Sequence, residues 1–521
     1  MKKMWRAAAA VLCVAALLGS AGCGKKSQTT TTDENMKLTH KLSDEPVTMT
    51  LFARQKEGYE TNNVFEEAYR MTNVKLVPTL SQNVTDMDQA LALAVAAKNI
   101  PDVIYDWRRV NFTKYGMQGA LISLNDLMKD NAPNLNKYYE EHPTMKSFAT
   151  AGNGSVYFIP CGQAGSTSVG WCIRQDWLDK VGKSAPETVD EFYEVMKAFR
   201  DGDPNGNGQA DETAYFDRQN TIEPLLWLFN SGSDFHYENG KAVFCPMEND
   251  FKTAMKEVKK WYDEKLIDPE VFTRKDARTY FCSNNLGGIT NNWFGSTLNT
   301  NNQYGESVPG YKMVAMAPPA NTKGVRRVFD RRAETTGEGW AISSMNKNPE
   351  LTMKYFDFWW SEDGIRLANF GIEGQDYDMV DGKEVVKESV LKNKEVAANT
   401  YNAYMRHSVN FGFPQDFGYE SQWVLPEALD AMNLYEEQHY IPELFEKPMM
   451  AYSDDQEERK ANLKTQIDTY VSETIQSWIL VGGDIDAEFE TFKNRMKELG
   501  IEEYIAIEQD AYTKYLSVLG K

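Results

Sequence analysis

Apolar and polar positions alternate along Val47-Thr48-Met49-Thr50-Leu51-Phe52, which predicts a strand, and residues 63–71 return to helical spacing. Val74-Lys75-Leu76-Val77 predicts a second strand, residues 87–97 an apolar helix, and Asp102-Val103-Ile104-Tyr105 a short buried strand. Strand, helix, strand, helix, strand at this spacing predicts an α/β sheet with parallel strands. In such sheets ligands gather beyond the carboxyl ends of strands. Tyr105, Asp106 and Trp107 occupy one such end.

The pattern continues with strands over 156–160 and 170–173, and a helix opening at Asp176. Thr188 is a good N-cap, with Glu191 at the capping-box position, for a helix running to Phe199. Further helices are predicted over 225–229, 251–264 and 349–360, and strands over 286–290, 311–316 and 339–343. From Trp423 the chain reads as mainly helical, with polar breaks near Ser453 and Gly482-Gly483. No internal repeat is found.

Between the 188–199 helix and the next apolar run lies Asp203-Pro204-Asn205-Gly206-Asn207-Gly208-Gln209-Ala210-Asp211-Glu212. Oxygen-bearing side chains recur at every second position, and glycines and a proline between them make the segment a tight loop. That is how a chain surrounds a hard cation. Asp203, Asn205 and Asn207 take positions 1, 3 and 5 of an EF-hand-type loop, with Gly208 at position 6. Position 12 is Ala214, so Asp211 and Glu212 would close a shortened shell. An oxygen-only donor set favours Ca²⁺ over Zn²⁺ or copper. The plain alternative is a solvated surface turn.

At 521 residues the chain exceeds one ordinary domain, and 42% hydrophobic with 12% aromatic residues is enough for large cores. A net charge of −20 argues against nucleic acid and against an anionic membrane surface as partners. Lys2, Lys3 and Arg6 precede an apolar run over 7–18 and the small residues Ser20-Ala21-Gly22, the pattern of an export signal. It resembles a bacterial lipoprotein signal, in which Cys23 becomes the lipid-modified first residue, although Ser20 stands where Leu is usual. The polar stretch that follows, with its threonine run Thr29 to Thr32, reads as a flexible tether. Cys161, Cys172, Cys245 and Cys282 show no metal-type spacing and are expected as buried thiols.

Several stretches together resemble the family-1 extracellular solute-binding lipoproteins of carbohydrate ABC importers, of the large oligosaccharide- and alginate-binding type. They are Ile100-Pro101-Asp102-Val103-Ile104, Ile173-Arg174-Gln175-Asp176-Trp177-Leu178-Asp179-Lys180-Val181-Gly182, the loop from Asp203 to Glu212, Ser361-Glu362-Asp363-Gly364, and Phe370-Gly371-Ile372-Glu373-Gly374 with Tyr377. The resemblance implies an α/β fold of the two-lobe, type 2 periplasmic-binding-protein kind, with crossing segments and a largely helical C-terminal part. It places a signal peptide at 1–22, a tether at 23–45, lobe 1 at 46–165 plus about 340–410, and lobe 2 at 166–339 plus about 411–521. It implies a monomeric receptor that closes on a carbohydrate and delivers it to ABC permease subunits, without catalysis. It makes Asp203, Asn205, Asn207, the Gln209 carbonyl, Asp211 and Glu212 the ligands of a structural calcium ion.

A sugar needs aromatic faces against its C–H surfaces and planar polar groups against its hydroxyls. Asp106, Trp107 and Trp293 are the leading candidates by position, followed by Tyr105, Trp171, Trp227, Trp340, Glu373 and Tyr377. Trp177, Trp261, Trp359 and Trp360 fall in helical patterns and are expected in the core, and Arg174 is expected to pair with Asp176 or cap a helix. Asp330-Arg331-Arg332 and Glu457-Glu458-Arg459-Lys460 read as solvated charge. The competing class is a secreted carbohydrate-active hydrolase, which needs two carboxylates about 5–10 Å apart across a cleft. With 76 acidic residues the count decides nothing, and G-x-S-x-G, H-E-x-x-H and P-loop motifs are absent from the sequence.

Overall fold

A computed structural model describes residues 40–54, 63–106, 108–328, 331–392, 413–442 and 448–521. The first strands are β1 (Val47–Arg54), β2 (Val74–Leu80), β3 (Val103–Asp106), β4 (Ile159–Gly162) and β5 (Val169–Arg174). Next come β6 (Thr213–Tyr215), β7 (Phe235–Glu238), β8 (Lys241–Phe244), β9 (Gly287–Trp293) and β10 (Met313–Ala315). The last are β11 (Thr335–Ile342), β12 (Tyr377–Val380) and β13 (Lys383–Val386).

β1 pairs in parallel with β2 and with β3, as the spacing of the first elements predicts. The helix Asn63–Thr72 between β1 and β2 buries Val64, Phe65 and Ala68, the positions its apolar spacing selects. The full sheet runs β2-β1-β3-β11-β4. β11 lies antiparallel to both β3 and β4, so the sheet is mixed where the early pattern pointed to parallel strands alone. The cause is its origin: β11 returns from a second sheet late in the chain.

That second sheet is ordered β10-β5-β9-β6. Along β5, Trp171 and Ile173 join one buried cluster and Cys172 joins another, so this sheet is covered on both faces. The larger cluster takes Trp177, Phe192 and Trp261 together with the C-terminal helices Asp454–Gln476, Ile485–Glu498 and Ile501–Val518. Ser453 starts the first of these with a capping box, and Gly482 at φ 91° ends the helical turn after it, at the two breaks expected from sequence. Around the five-stranded sheet, Leu51, Ile104, Trp340 and Trp359 form a separate core. Arg174 is buried and meets Asp176 with two hydrogen bonds of 2.8 and 2.7 Å, as expected.

Three segments run side by side between the two sheets. Gly162 N–H donates to the Phe413 carbonyl at 3.0 Å, and Gln415 N–H returns to the Gly162 carbonyl at 3.0 Å. Gln163 N–H donates to the Glu334 carbonyl at 2.7 Å, and Arg332 N–H to the Ser166 carbonyl at 2.8 Å. Among the described residues no helix is long and apolar enough to cross a membrane. Cys23 and Trp107 lie outside the described residues.

Candidate functional site

A cavity of about 390 Å³ opens beside the carboxyl end of β9. Trp171, Trp227 and Trp293 line it, and so do Asp217, Glu223 and Asn292. Each tryptophan arrives on a different element. Trp171 sits on β5 and is nearly buried, edge-on to Phe192 with ring centroids 5.3 Å apart, so only its rim serves the cavity. Trp227 closes the short helix Glu223–Trp227 and lies close against Gly232. A Cβ on Gly232 would come within 2.4 Å of that indole, so only glycine admits the ring here. Trp293 ends β9 and is 44% exposed, unusual for so large an apolar ring.

The guanidinium of Arg218 stands 5.0 Å from the Trp293 ring centre and donates to Ser296 Oγ at 2.6 Å. A cation held over one face helps fix the ring and leaves its other face for a partner. Burial and the neighbouring Arg278 push the Arg218 pKa down.

The two carboxylates of the cavity are turned into their own backbone. Asp217 accepts from Gln219 N–H at 2.6 Å, Thr221 N–H at 3.3 Å and the Tyr215 hydroxyl at 3.3 Å. Burial pushes its pKa up to about 6 against the pull of these donors. Glu223 accepts from Ser233 N–H with both oxygens, at 3.0 and 3.1 Å.

Arg327, Arg331 and Arg332 complete the wall. Reading Asp330-Arg331-Arg332 as solvated charge is corrected here: both arginines are half-buried in one of the crossing segments. Arg332 binds both oxygens of Glu420, at 2.5 and 2.8 Å, and the Ala164 carbonyl at 2.6 Å. The run at Glu457 is likewise more than solvated charge, since Glu457 pairs with the buried Arg109 and Lys460 pairs with the buried Glu508 at 2.8 Å. The signal available in sequence was four arginines within seven residues, Arg326 to Arg332, in a strongly acidic chain.

The structure therefore brings Trp171, Trp227 and Trp293 together and places the other described candidates outside this cavity. Asp106 is buried and accepts from Arg108 N–H at 2.8 Å and the Asn111 amide at 2.7 Å, while Tyr105 is half-buried beside it on β3. Trp340 and Tyr377 are core residues: Trp340 packs among Tyr355, Phe356 and Trp359, and Tyr377 against Phe370. Full burial leaves neither ring a face for a ligand. Glu373 is exposed on the turn before the β12–β13 hairpin.

The loop after the helix Val189–Asp201 closes on itself. Asp203 accepts from Asn207 N–H and Gly208 N–H, both at 3.0 Å, with its own backbone left-handed at φ 46°. The amides of Asn205 and Asn207 donate to Asp211 at 2.9 and 3.1 Å, placing neutral N–H donors where a cation would otherwise meet the carboxylate. A half-turn of either amide presents oxygen in place of nitrogen. Glu212 is 6% exposed, and its Oε2 is buried without a hydrogen-bond partner. Burial first, then Asp211 and Asp203, push its pKa up. A buried oxygen lacking a donor, among carboxylates and amide oxygens, suits a hard divalent cation. Among the described residues, His, Cys, Asp and Glu form no metal cluster by themselves, so the amides are needed.

The model of the bacterial extracellular solute-binding protein family matches residues 47–365. The fructooligosaccharide ABC transporter substrate-binding protein FusA of Streptococcus pneumoniae serotype 4 is 26% identical over 547 residues, 97% of each chain. The polygalacturonan/rhamnogalacturonan-binding protein YtcQ of Bacillus subtilis strain 168 is 26% identical over 64% of this chain and 67% of that one. The crystal structure of alginate-binding protein AlgQ2 without calcium ion superposes with a TM-score of 0.73 at 33% identity, over 91% of this chain and 100% of that one.

Proposed function

This chain belongs to the bacterial extracellular solute-binding proteins, and we propose that it captures an oligosaccharide at the cavity of Trp171, Trp227 and Trp293 and delivers it to the permease subunits of an ABC transporter. The observation that carries the reading is Trp293, an indole 44% exposed at a strand end with a cation fixed over one face. Such a platform takes the C–H face of a sugar ring, while Asn292 and the backbone of the β9 end offer hydroxyl partners. The names of the relatives cover fructooligosaccharides, galacturonans and alginate, which supports a saccharide and leaves its charge open.

In this reading the chain forms two lobes, the first at 46–165 plus about 340–410 and the second at 166–339 plus about 411–521, which close about the three crossing segments. The receptor works as a monomer, anchored through a lipid on Cys23 beyond a tether over 23–45. It binds without catalysing. In the cavity Asp217 and Glu223 are committed to backbone donors, which ill suits them to the acid and nucleophile roles of a hydrolase.

Asp203, Asn205, Asn207, the Gln209 carbonyl, Asp211 and Glu212 hold a structural Ca²⁺. Such an ion would supply the partner that the buried Glu212 oxygen lacks and would fix the start of β6. Titration calorimetry against an oligosaccharide panel, beside a sugar-release assay, tests the function. Micromolar or tighter binding without product is expected. Release of sugar that stops on replacing one carboxylate would overturn the reading.

A further inference from the structure

A second cavity, of about 280 Å³, adjoins the first. Thr221 and Glu223 line both, so one strip of chain is their common wall. That wall is braced from each side. Thr221 N–H donates at 3.3 Å to Asp217, which lines the first cavity. Glu223 accepts at 3.0 Å from the N–H of Ser233, which lines the second. Between these bonds Thr221 Oγ1 accepts from Glu223 N–H at 3.1 Å.

The far wall is the C-terminal helix Asp454–Gln476, which contributes Asp468, Val471, Ser472, Ile475 and Gln476. These positions are three and four residues apart and form one stripe of the helix. Val471 and Ile475 are buried and pin the stripe, while Asp468 and Gln476 are half-buried and Ser472 is exposed. Phe272, also half-buried, adds an aromatic surface. Asp234 and Asp468 share the ammonium of Lys464, at 3.8 and 2.6 Å. Two carboxylates about one ammonium leave the lining with an excess of acceptors and of negative charge. Beside an aromatic ring, a hydroxyl and a side-chain amide, such a lining receives the hydroxyls and the C–H face of a sugar and repels an anion.

Resting on the reading of the Trp293 cavity as a saccharide site, we propose that the second cavity is a subsite for an uncharged sugar unit of the same oligosaccharide. A ligand stacked on Trp293 then passes over Thr221 and ends against Phe272, Asp468 and Gln476. The carboxylate of Asp468 takes a sugar hydroxyl as acceptor, and the Gln476 amide both gives and takes one. The C-terminal helix thereby measures ligand length: a short saccharide fills the tryptophan cavity alone, and one long enough to cross Thr221 gains a second set of contacts.

The test is titration calorimetry with neutral oligosaccharide ladders of about two to six units, one built on fructose and one on glucose, where a bound unit adds contacts only if a subsite receives it. On a ladder that binds, affinity is expected to climb about tenfold or more at one step and to level off beyond it. Ser472→Trp plugs the second cavity from an exposed helical position, with an unchanged melting temperature as the check on folding. It should remove the step, bringing long members down to the affinity of short ones and leaving the short ones within about twofold. Gln476→Ala, which adds no bulk, should remove part of the step. A ladder without a step overturns the proposal and leaves the saccharide reading standing, as does a step that survives Ser472→Trp or equal weakening of short and long members. If no saccharide of any length binds, both fail.

Discussion

Arg332 grips both carboxylate oxygens of Glu420, at 2.5 and 2.8 Å, and so ties one segment that crosses between the sheets to the helix Phe417–Trp423 that follows another. The same guanidinium reaches Ala164 on the third, where Gly165 turns at φ 82° beneath it. Both side chains are mostly buried, so loss of one partner leaves an ill-solvated charge. Glu420→Gln is expected to lower stability by about 1–3 kcal/mol, read as a lower urea midpoint at an unchanged slope.

Trp293 and Trp340 should respond in opposite ways. Trp293→Ala exposes no core and is expected to weaken saccharide binding by about 1–2 kcal/mol, with little change in melting temperature. Trp340→Ala empties a site at 0% exposure among Tyr355, Phe356 and Trp359, and should cost about 3–5 kcal/mol of stability. Calorimetry and thermal denaturation on the two variants separate the roles. Equal effects on affinity would remove Trp293 from the site.

Chelation should destabilise the protein, because an ion bound to the folded state adds RT ln(1 + [L]/Kd) to its stability. The melting temperature is expected to fall with chelator and to recover with added Ca²⁺. Asp203→Ala should abolish that sensitivity, and Glu212→Gln should reduce it while relieving the burial of a charged oxygen. Persistence of the full chelator shift in Asp203→Ala would place the ion elsewhere.

Asp217 gives a pH dependence of definite sign. Its folded pKa of about 6 lies above the ordinary carboxyl value, because burial penalises the anion. The folded state therefore holds this proton more tightly than the unfolded chain does. Its contribution is fully present below pH ~4 and is lost as pH rises through about 6, by up to about 3 kcal/mol. Asp217→Asn keeps an oxygen for Gln219 and Thr221 and removes the charge. The variant should gain on the wild type in urea midpoint at pH 7 and not at pH 4. A constant difference across that range would contradict the assignment.

Local signals served the early fold well. The alternation that marks β1, the helical spacing of 63–72 and the cap at Thr188 all depend on neighbours a few residues apart, and Thr188 Oγ1 does accept from Glu191 N–H at 3.2 Å. Trp340 shows what local reasoning misses. Its place near the start of a predicted strand makes it a ligand candidate, yet a Cβ on the neighbouring Gly339 would stand 2.2 Å from the Ile159 carbonyl oxygen. That glycine marks the close approach of β4 to β11, a pairing between residues more than 170 apart in sequence. Arg331 and Arg332 failed for the same reason. Their partners and the cavity they line belong to distant segments, so nothing adjacent distinguished them from a solvated run.

No disulfide joins Cys161, Cys172, Cys245 and Cys282; all four thiols are buried. Burial also raises the pKa of Cys172, Cys245 and Cys282, suppressing the reactive thiolate. Cys161 sits on β4 at the approach to the first crossing, Cys172 on β5, Cys245 just after β8, and Cys282 on the helix Ala277–Ser283. The protein is thereby equipped with its own clocks. A thiol reagent can modify each site only in the moments when the surrounding structure opens, so labelling rates resolved by mass spectrometry would time those openings without an introduced probe. Slower labelling on adding saccharide or Ca²⁺ would show which part of the molecule each ligand holds shut.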